Sequence, residues 1–219
     1  MSYKDKQRRW DKALIIGLGD DVPVDHPPIS GNTLIVCADG GSTWAKQWGL
    51  TPHLILGDFD SQSTNDYQYW DSKGVSFQSY PPEKDQTDLE LAIDYCLSLG
   101  IRDIIMVGVW GGRIDHSLGN LELLYRLGTQ NIQASIETKQ ASLKLVCSCL
   151  ALTVTVGSLI SLIPLTSKVS KVTTTGLYYP LDRATLVKGN TLGISNKAVE
   201  EEVSISSGEG ILLVIATKP

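Results

Sequence analysis

A change of rhythm part-way along the chain constrains its fold more than any other feature. Up to about residue 145, short apolar runs alternate with amphipathic helical ones; beyond residue 148 only short, β-branched runs remain. In the first part, residues 13–16, 33–37, 53–56, 75–80 and 103–109 read as strands, and residues 42–48, 65–73, 88–99 and 116–127 as helices. The helix from Asp88 is the best marked, because Thr87 and Glu90 stand at capping-box spacing ahead of Leu89, Ala92, Ile93 and Leu97. Such alternation predicts a mostly parallel sheet with helices packed on it. In the second part, residues 152–156, 158–165, 168–175, 185–188, 201–206 and 211–217 are punctuated by Gly, Pro and Asn and keep no helical period. Spacing of that kind predicts an antiparallel sandwich or barrel. The expected architecture is an α/β domain over residues 1–145 followed by an all-β sandwich over 146–219.

The chain has 219 residues, 42% of them hydrophobic and 20% charged, enough apolar material for a real core. A net charge of -5 argues against a broad electrostatic grip on nucleic acid or anionic lipid. No apolar run approaches the ~18 residues of a membrane span. The basic start (Lys4, Lys6, Arg8, Arg9) is not followed by the apolar stretch of a signal peptide. Cys37, Cys96, Cys147 and Cys149 are too scattered for a disulfide framework, and Cys147 and Cys149, in an apolar segment, read as buried thiols. A soluble protein of the reducing cytoplasm is expected.

The acids are unevenly placed. Every aspartate except Asp182 precedes residue 146. Aspartates follow the predicted strands in turn: Asp39, then Asp58 and Asp60, then Asp85 and Asp88, then Asp115. In open parallel sheets ligands settle outside those strand ends. Carboxylates gathered there repel one another unless some stay protonated or a cation joins them. Oxygen donors with little His or Cys nearby favour magnesium over zinc.

The motifs are individually ambiguous. Ala38-Asp39-Gly40-Gly41-Ser42 closes a strand and opens a helix; it suits either a phosphate or a plain tight turn. Gly57-Asp58-Phe59-Asp60-Ser61 places two carboxylates where a bend would let them share a metal. Sugar-nucleotide transferases and haloacid-dehalogenase-like phosphatases also use Asp-x-Asp, but the latter want Thr or Val where Gln62 stands. In Lys84-Asp85-Gln86-Thr87-Asp88, Asp88 has a structural role at the helix start, and Asp85 less so. Gly111-Gly112-Arg113-Ile114-Asp115-His116 makes a phosphate-binding turn in which Arg113 offers a forked donor; His116 ranks below Arg113 and Asp115, and Asn120 follows one turn later. A P-loop and protein-kinase signatures are missing, and Gly17-Leu18-Gly19 lacks the third glycine of a dinucleotide fingerprint. In the β-rich part, Tyr178, Tyr179 and the run from Gly193 to Asn196 read as turns with surface tyrosines, or else as an aromatic platform for a flat cation.

Taken in order, A-D-G-G, G-D-F-D-S, K-D-Q-T-D, G-G-R-I-D-H with Asn120, T-T-G-L-x-Y-P-L and I-S-N resemble the motifs of thiamine pyrophosphokinases, from Ala38 to Asn196. The resemblance implies an α/β catalytic domain binding ATP and Mg2+, and a β-sandwich domain for thiamine binding and dimerisation. It implies transfer of a diphosphoryl group from ATP to the hydroxyethyl of thiamine, giving thiamine diphosphate and AMP. Asp58, Asp60 and Asp88 match the family's magnesium ligands. Asp39, Gly40, Gly41, Arg113, Asp115, His116 and Asn120 match its nucleotide-binding turns. Tyr179 falls where some relatives stack a tryptophan, and Ser195 and Asn196 fall in the loop that contacts thiamine. A homodimer is implied, with thiamine held between one subunit's α/β domain and the other's β domain. The first 30 residues, Asp20 and Asp21 included, match none of these motifs.

On this basis Asp58, Asp60, Asp85, Asp88, Arg113 and Asp115 are the expected catalytic set, with Asp85 or Asp115 orienting or deprotonating the hydroxyl. Two rival classes use the same residues differently. A magnesium-dependent nucleotide phosphohydrolase needs no acceptor, and a non-catalytic thiamine- or nucleotide-sensing module needs no strand-end acid cluster.

Overall fold

Runs buried on both sides account for the first half of the chain. The computed structural model describes residues 9–59 and 64–218. Strands β1 (Lys12–Ile16), β2 (Thr33–Ala38), β3 (Leu54–Gly57), β4 (Ser76–Ser79) and β5 (Asp103–Val107) run parallel in the order β5-β1-β2-β3-β4. Every residue of β2 and β3 is buried, as expected of parallel strands covered on both faces. One face packs Leu14, Ile16, Ile35, Cys37, Ile55 and Val107 against Ala45 of α1 (Ser42–Gln47) and Trp70 of α2 (Thr64–Ser72). On the other face lies α3 (Asp88–Ser98), in contact with β1, β2 and β3 and burying Leu89, Ala92, Ile93 and Cys96. Thr87 caps α3, its side-chain oxygen accepting from the Glu90 amide at 3.2 Å. Burial raises the Cys96 thiol to about 12 and raises that of Cys37 as well.

Strand order reverses at β1. The chain steps outward through β2, β3 and β4, then returns to β5 on the other side. Beyond the strands the pair continues through backbone: the Gly17 amide donates to Val107 O at 2.9 Å and the Gly19 amide to Gly108 O at 2.6 Å. Glycine is required there. Gly108 has φ +63°, and a Cβ on it would run into the Gly17 carbonyl oxygen.

The chain divides into two compact units, Met1–Asn120 and Leu121–Pro219, the boundary falling inside α4 (Ile114–Thr129). In the second unit, β6 (Gln133–Glu137), β7 (Ala141–Val146), β14 (Leu212–Thr217), β9 (Leu159–Pro164) and β12 (Asn196–Lys197) pair antiparallel. So do β8 (Cys149–Thr153), β13 (Glu202–Ser206), β10 (Lys168–Thr175) and β11 (Ala184–Val187). A single buried cluster draws Ile160, Leu162, Leu212 and Val214 from the first sheet and Leu152, Val169, Val172, Val203 and Ile205 from the second. That shared core makes the unit a sandwich.

The antiparallel strands begin earlier than the change in texture, because β6 and β7 form a hairpin ahead of residue 148. The cysteine reading needs correction: Cys147 and Cys149 are exposed. They flank the turn between β7 and β8, where side chains face solvent instead of the core. Among the described residues no helix is long and apolar enough to cross a membrane.

Gly108→Ala is expected to lower the unfolding free energy by about 2 kcal/mol or more through strain and close contact. Gly31→Ala, whose added Cβ meets nothing, should stay within about 0.5 kcal/mol of the parent. Urea denaturation followed by tryptophan fluorescence checks both.

Candidate active site

In the first unit, the ends of β1, β2, β3 and β5 and the loop ahead of α3 enclose a cavity of about 530 Å³. Open parallel sheets offer such a crevice where strand order reverses. Aspartates reach it from four segments: Asp20 after β1, Asp39 after β2, Asp58 after β3 and Asp88 at the start of α3. Lys84 and Arg113 bring positive charge, and Gln86, Thr87, His116 and Asn120 complete the polar lining.

Local backbone explains how these side chains are aimed. Asp39 has φ +48° and Phe59 φ +60°, conformations rarely adopted by residues other than glycine. The second turns the chain sharply just after Asp58, the bend expected of Asp-x-Asp. Phe59 is anchored by edge-to-face packing on Phe77, ring centres 5.7 Å apart. Of the three expected metal ligands, Asp58 and Asp88 line one cavity, and Asp60 lies outside the described residues. Among the described residues, no three His, Cys, Asp or Glu side chains form a preformed metal cluster.

The cations are already engaged. Lys84 Nζ lies 2.9 Å from Asp88 Oδ1, with side chains only 14% and 25% exposed. Arg113 pairs with Asp115 through both its Nε, at 3.1 Å, and its terminal nitrogen. The hydrogen bond from that guanidinium is the main reason the Asp115 carboxyl falls from 3.8 to about 2.

The other expected residues divide. His116 and Asn120 line the cavity; the Asn120 amide also donates to Val109 O at 2.7 Å, tying α4 to the glycine-rich turn. Gly40 and Gly41 are buried away from the lining, and a Cβ on Gly41 would strike the Ile16 carbonyl. Gly41 thus lies close against backbone, whereas a Cβ on Gly40 would meet the Leu18 side chain. Asp85 and Asp115 are likewise outside the lining, although Asp85 sits between the lining residues Lys84 and Gln86.

In the second unit, Tyr178 and Tyr179 are exposed and pack edge-to-face, 4.8 Å between ring centres. Asn196, 6% exposed, holds Tyr179 from both sides: its Oδ1 accepts from the Tyr179 amide at 3.0 Å and its Nδ2 donates to Tyr179 O at 2.7 Å. Ser195 has φ +57°, and its amide donates to Ser161 Oγ at 3.0 Å.

Sequence comparison names what this geometry belongs to. A profile described as the thiamin pyrophosphokinase catalytic domain matches residues 28–136, and one described as the thiamin pyrophosphokinase vitamin B1 binding domain matches residues 150–212. The thiamine pyrophosphokinase of Bacillus subtilis is 32% identical over 194 residues, covering 84% of this chain and 87% of that protein. The chain belongs to the thiamine pyrophosphokinase family. The crystal structure of thiamine pyrophosphokinase from Bacillus subtilis superposes with a TM-score of 0.86 at 29% identity, covering 95% of this chain and 99% of that one. That of the Geobacillus thermodenitrificans thiamin pyrophosphokinase gives 0.80 at 29% identity, covering 95% and 98%.

Within this thiamine pyrophosphokinase fold, motif reading missed the loop Gly17–Asp20, which lines the cavity although it matches no family motif. A signal was present, since an aspartate follows β1 just as others follow β2 and β3. Ser117 was also missed. Its hydroxyl accepts from the Gly111 amide and donates to Arg113 O, both at 3.2 Å, and so shapes the glycine-rich turn.

The Asp115 carboxyl is expected to titrate near 2 by NMR, and Arg113→Met to return it toward 3.8. The sign is that of a depressed acid: the pair is intact at neutral pH and lost as pH falls through about 2. Asn196→Ala, which strands the Tyr179 amide and carbonyl, should cost about 1–3 kcal/mol in chemical denaturation.

Proposed function

We propose that this enzyme, a thiamine pyrophosphokinase, binds ATP in the aspartate-lined cavity and transfers its diphosphoryl group to the hydroxyethyl oxygen of thiamine, releasing AMP. The carrying observation is that four strand-end and helix-start segments deliver carboxylates, and the α3 loop and the turn after β5 deliver cations, to one cavity at the strand-order reversal. The two rival readings, phosphohydrolase and sensing module, find no support in the relatives, which are named thiamine pyrophosphokinases.

The donor chemistry fits magnesium. Four aspartates bring carboxylate oxygens to the lining and, among the described residues, no cysteine reaches it, a hard-oxygen set. Asp58 and Asp88, with Asp60, would hold the ion. Bound there, it would neutralise charge on the phosphate oxygens. The protein's own part is positioning. Arg113, its guanidinium braced by Asp115, presents a planar fork to phosphate oxygens. Asp39 and the lining residues His116 and Asn120 border the nucleotide, while Gly40 and Gly41 let the β2 turn pack tightly enough to set Asp39 in place. Asp115, held near 2, is a weak base and serves to hold Arg113. That leaves Asp85 to orient the thiamine hydroxyl for in-line attack on the β-phosphorus.

We assign thiamine to the Tyr179 ring, with Ser195 beside it and Asn196 setting the ring's backbone; a flat cation stacks well on such a face. Residues 1–145 would form the catalytic part and residues 146–219 the thiamine-binding and dimerisation part of a cytoplasmic homodimer.

Incubation with ATP, Mg2+ and thiamine is expected to give AMP only when thiamine is present. Asp58→Asn should retain the far-UV circular dichroism of the parent and lose about a hundredfold or more in turnover. AMP or inorganic phosphate released equally without thiamine would overturn the assignment.

A further inference from the structure

The placement of Lys84 is unusual. It lies in the loop just ahead of α3, beside the helix N-terminus, where the peptide dipoles disfavour a cation. Its side chain is 14% exposed, against the usual habit of lysine. Two contacts hold it there: Asp88 Oδ1 at 2.9 Å, and the face of Tyr80 with the ammonium 5.9 Å from the ring centre. Tyr80 is itself fixed by a hydrogen bond from Gln78 at 2.6 Å. Asp88 needs no lysine for structural reasons, because a carboxylate at a helix start is already favoured.

We propose that Lys84 is a built-in counter-ion that exchanges partners during the reaction. Without ligands its ammonium neutralises Asp88. When a divalent cation takes Asp88, Lys84 is released into the cavity it already lines and pairs with a phosphate oxygen of ATP. This deepens the proposed function and rests on it for the identity of the polyanion.

Charge balance supports the exchange. The described lining carries Asp20, Asp39, Asp58 and Asp88 against Lys84 and Arg113, and Arg113 is shared with Asp115. A triphosphate entering that field requires cations on its side. Moving Asp88 from the ammonium to the metal keeps that carboxylate neutralised throughout and frees a second cation for phosphate, with no bond made or broken. Lys84 is therefore a positioning residue that competes with metal before ATP arrives and assists ATP afterwards.

These two effects have opposite signs, which a merely structural lysine would not produce. Mn2+ serves as the probe ion, titrated by electron paramagnetic resonance into the full-length chain free of ATP and thiamine. Lys84→Met is expected to bind Mn2+ about five- to tenfold more tightly than the parent, because a competing charge is gone. The same variant should show a KM for ATP raised about tenfold at saturating Mg2+, with a smaller change in kcat. Lys84→Arg should stay near the parent in both measurements. If Lys84→Met does not fold, Lys84→Gln carries the same expectations.

Unchanged or weakened Mn2+ binding in a folded, charge-free variant overturns the exchange, as does a KM for ATP that does not rise. The Mn2+ titration involves no turnover, so it separates this inference from the functional one. A parent that makes AMP with thiamine, alongside a variant with parental Mn2+ affinity, sinks the exchange alone. A parent without thiamine-dependent AMP removes the transferase assignment, whatever the Mn2+ result, and with it the ATP half of the exchange.

Discussion

Gathering aspartates in one cavity sets the terms for everything else in the first unit. Like charges brought into one crevice repel one another, and Asp20, Asp39, Asp58 and Asp88 all line this one. The fold supplies Lys84 against Asp88 and brings Arg113 to the rim. Among the described residues, carboxylates thus outnumber cations in the lining.

Backbone packing makes that gathering geometrically feasible. At the end of β1 and β5 the chains approach through Gly17 and Gly108 with no side chain between them, and the crevice opens where strand order reverses. Gly41, buried after β2, does similar work: it fits under the Ile16 carbonyl, which brings the Asp39 turn close to β1. At Gly17, Gly41 and Gly108 the space a side chain would need is taken by protein backbone. In the second unit Asn196 plays the corresponding part, spending its amide on the backbone of Tyr179.

Much of this was legible in the residues. Strand and helix existence in the first unit follows from periodicity, and α3 could be placed to within a residue at its start because Thr87 caps it. The sandwich followed from β-branched runs, yet β6 and β7 escaped notice, since hairpin strands beside a helix carry too few residues to show a period. Cys147 and Cys149 were misjudged because an apolar neighbourhood in sequence says nothing about which residues form the turn. Of the candidate site, Asp39, Asp58, Asp88, Arg113, His116 and Asn120 were foreseen as cavity residues. The Gly17–Asp20 loop and Ser117 were not, because neither matches a motif.

By itself the order of residues determined the two kinds of layer, the aspartates at successive strand ends and the family to which the chain belongs. Those are local or collinear properties, readable from periodicity and motif order. Tertiary structure alone decided which carboxylates face the same space. Such convergence depends on strand order and on the direction each loop takes out of the sheet. Neither is encoded by the spacing of residues along the chain; both are settled when the layers pack.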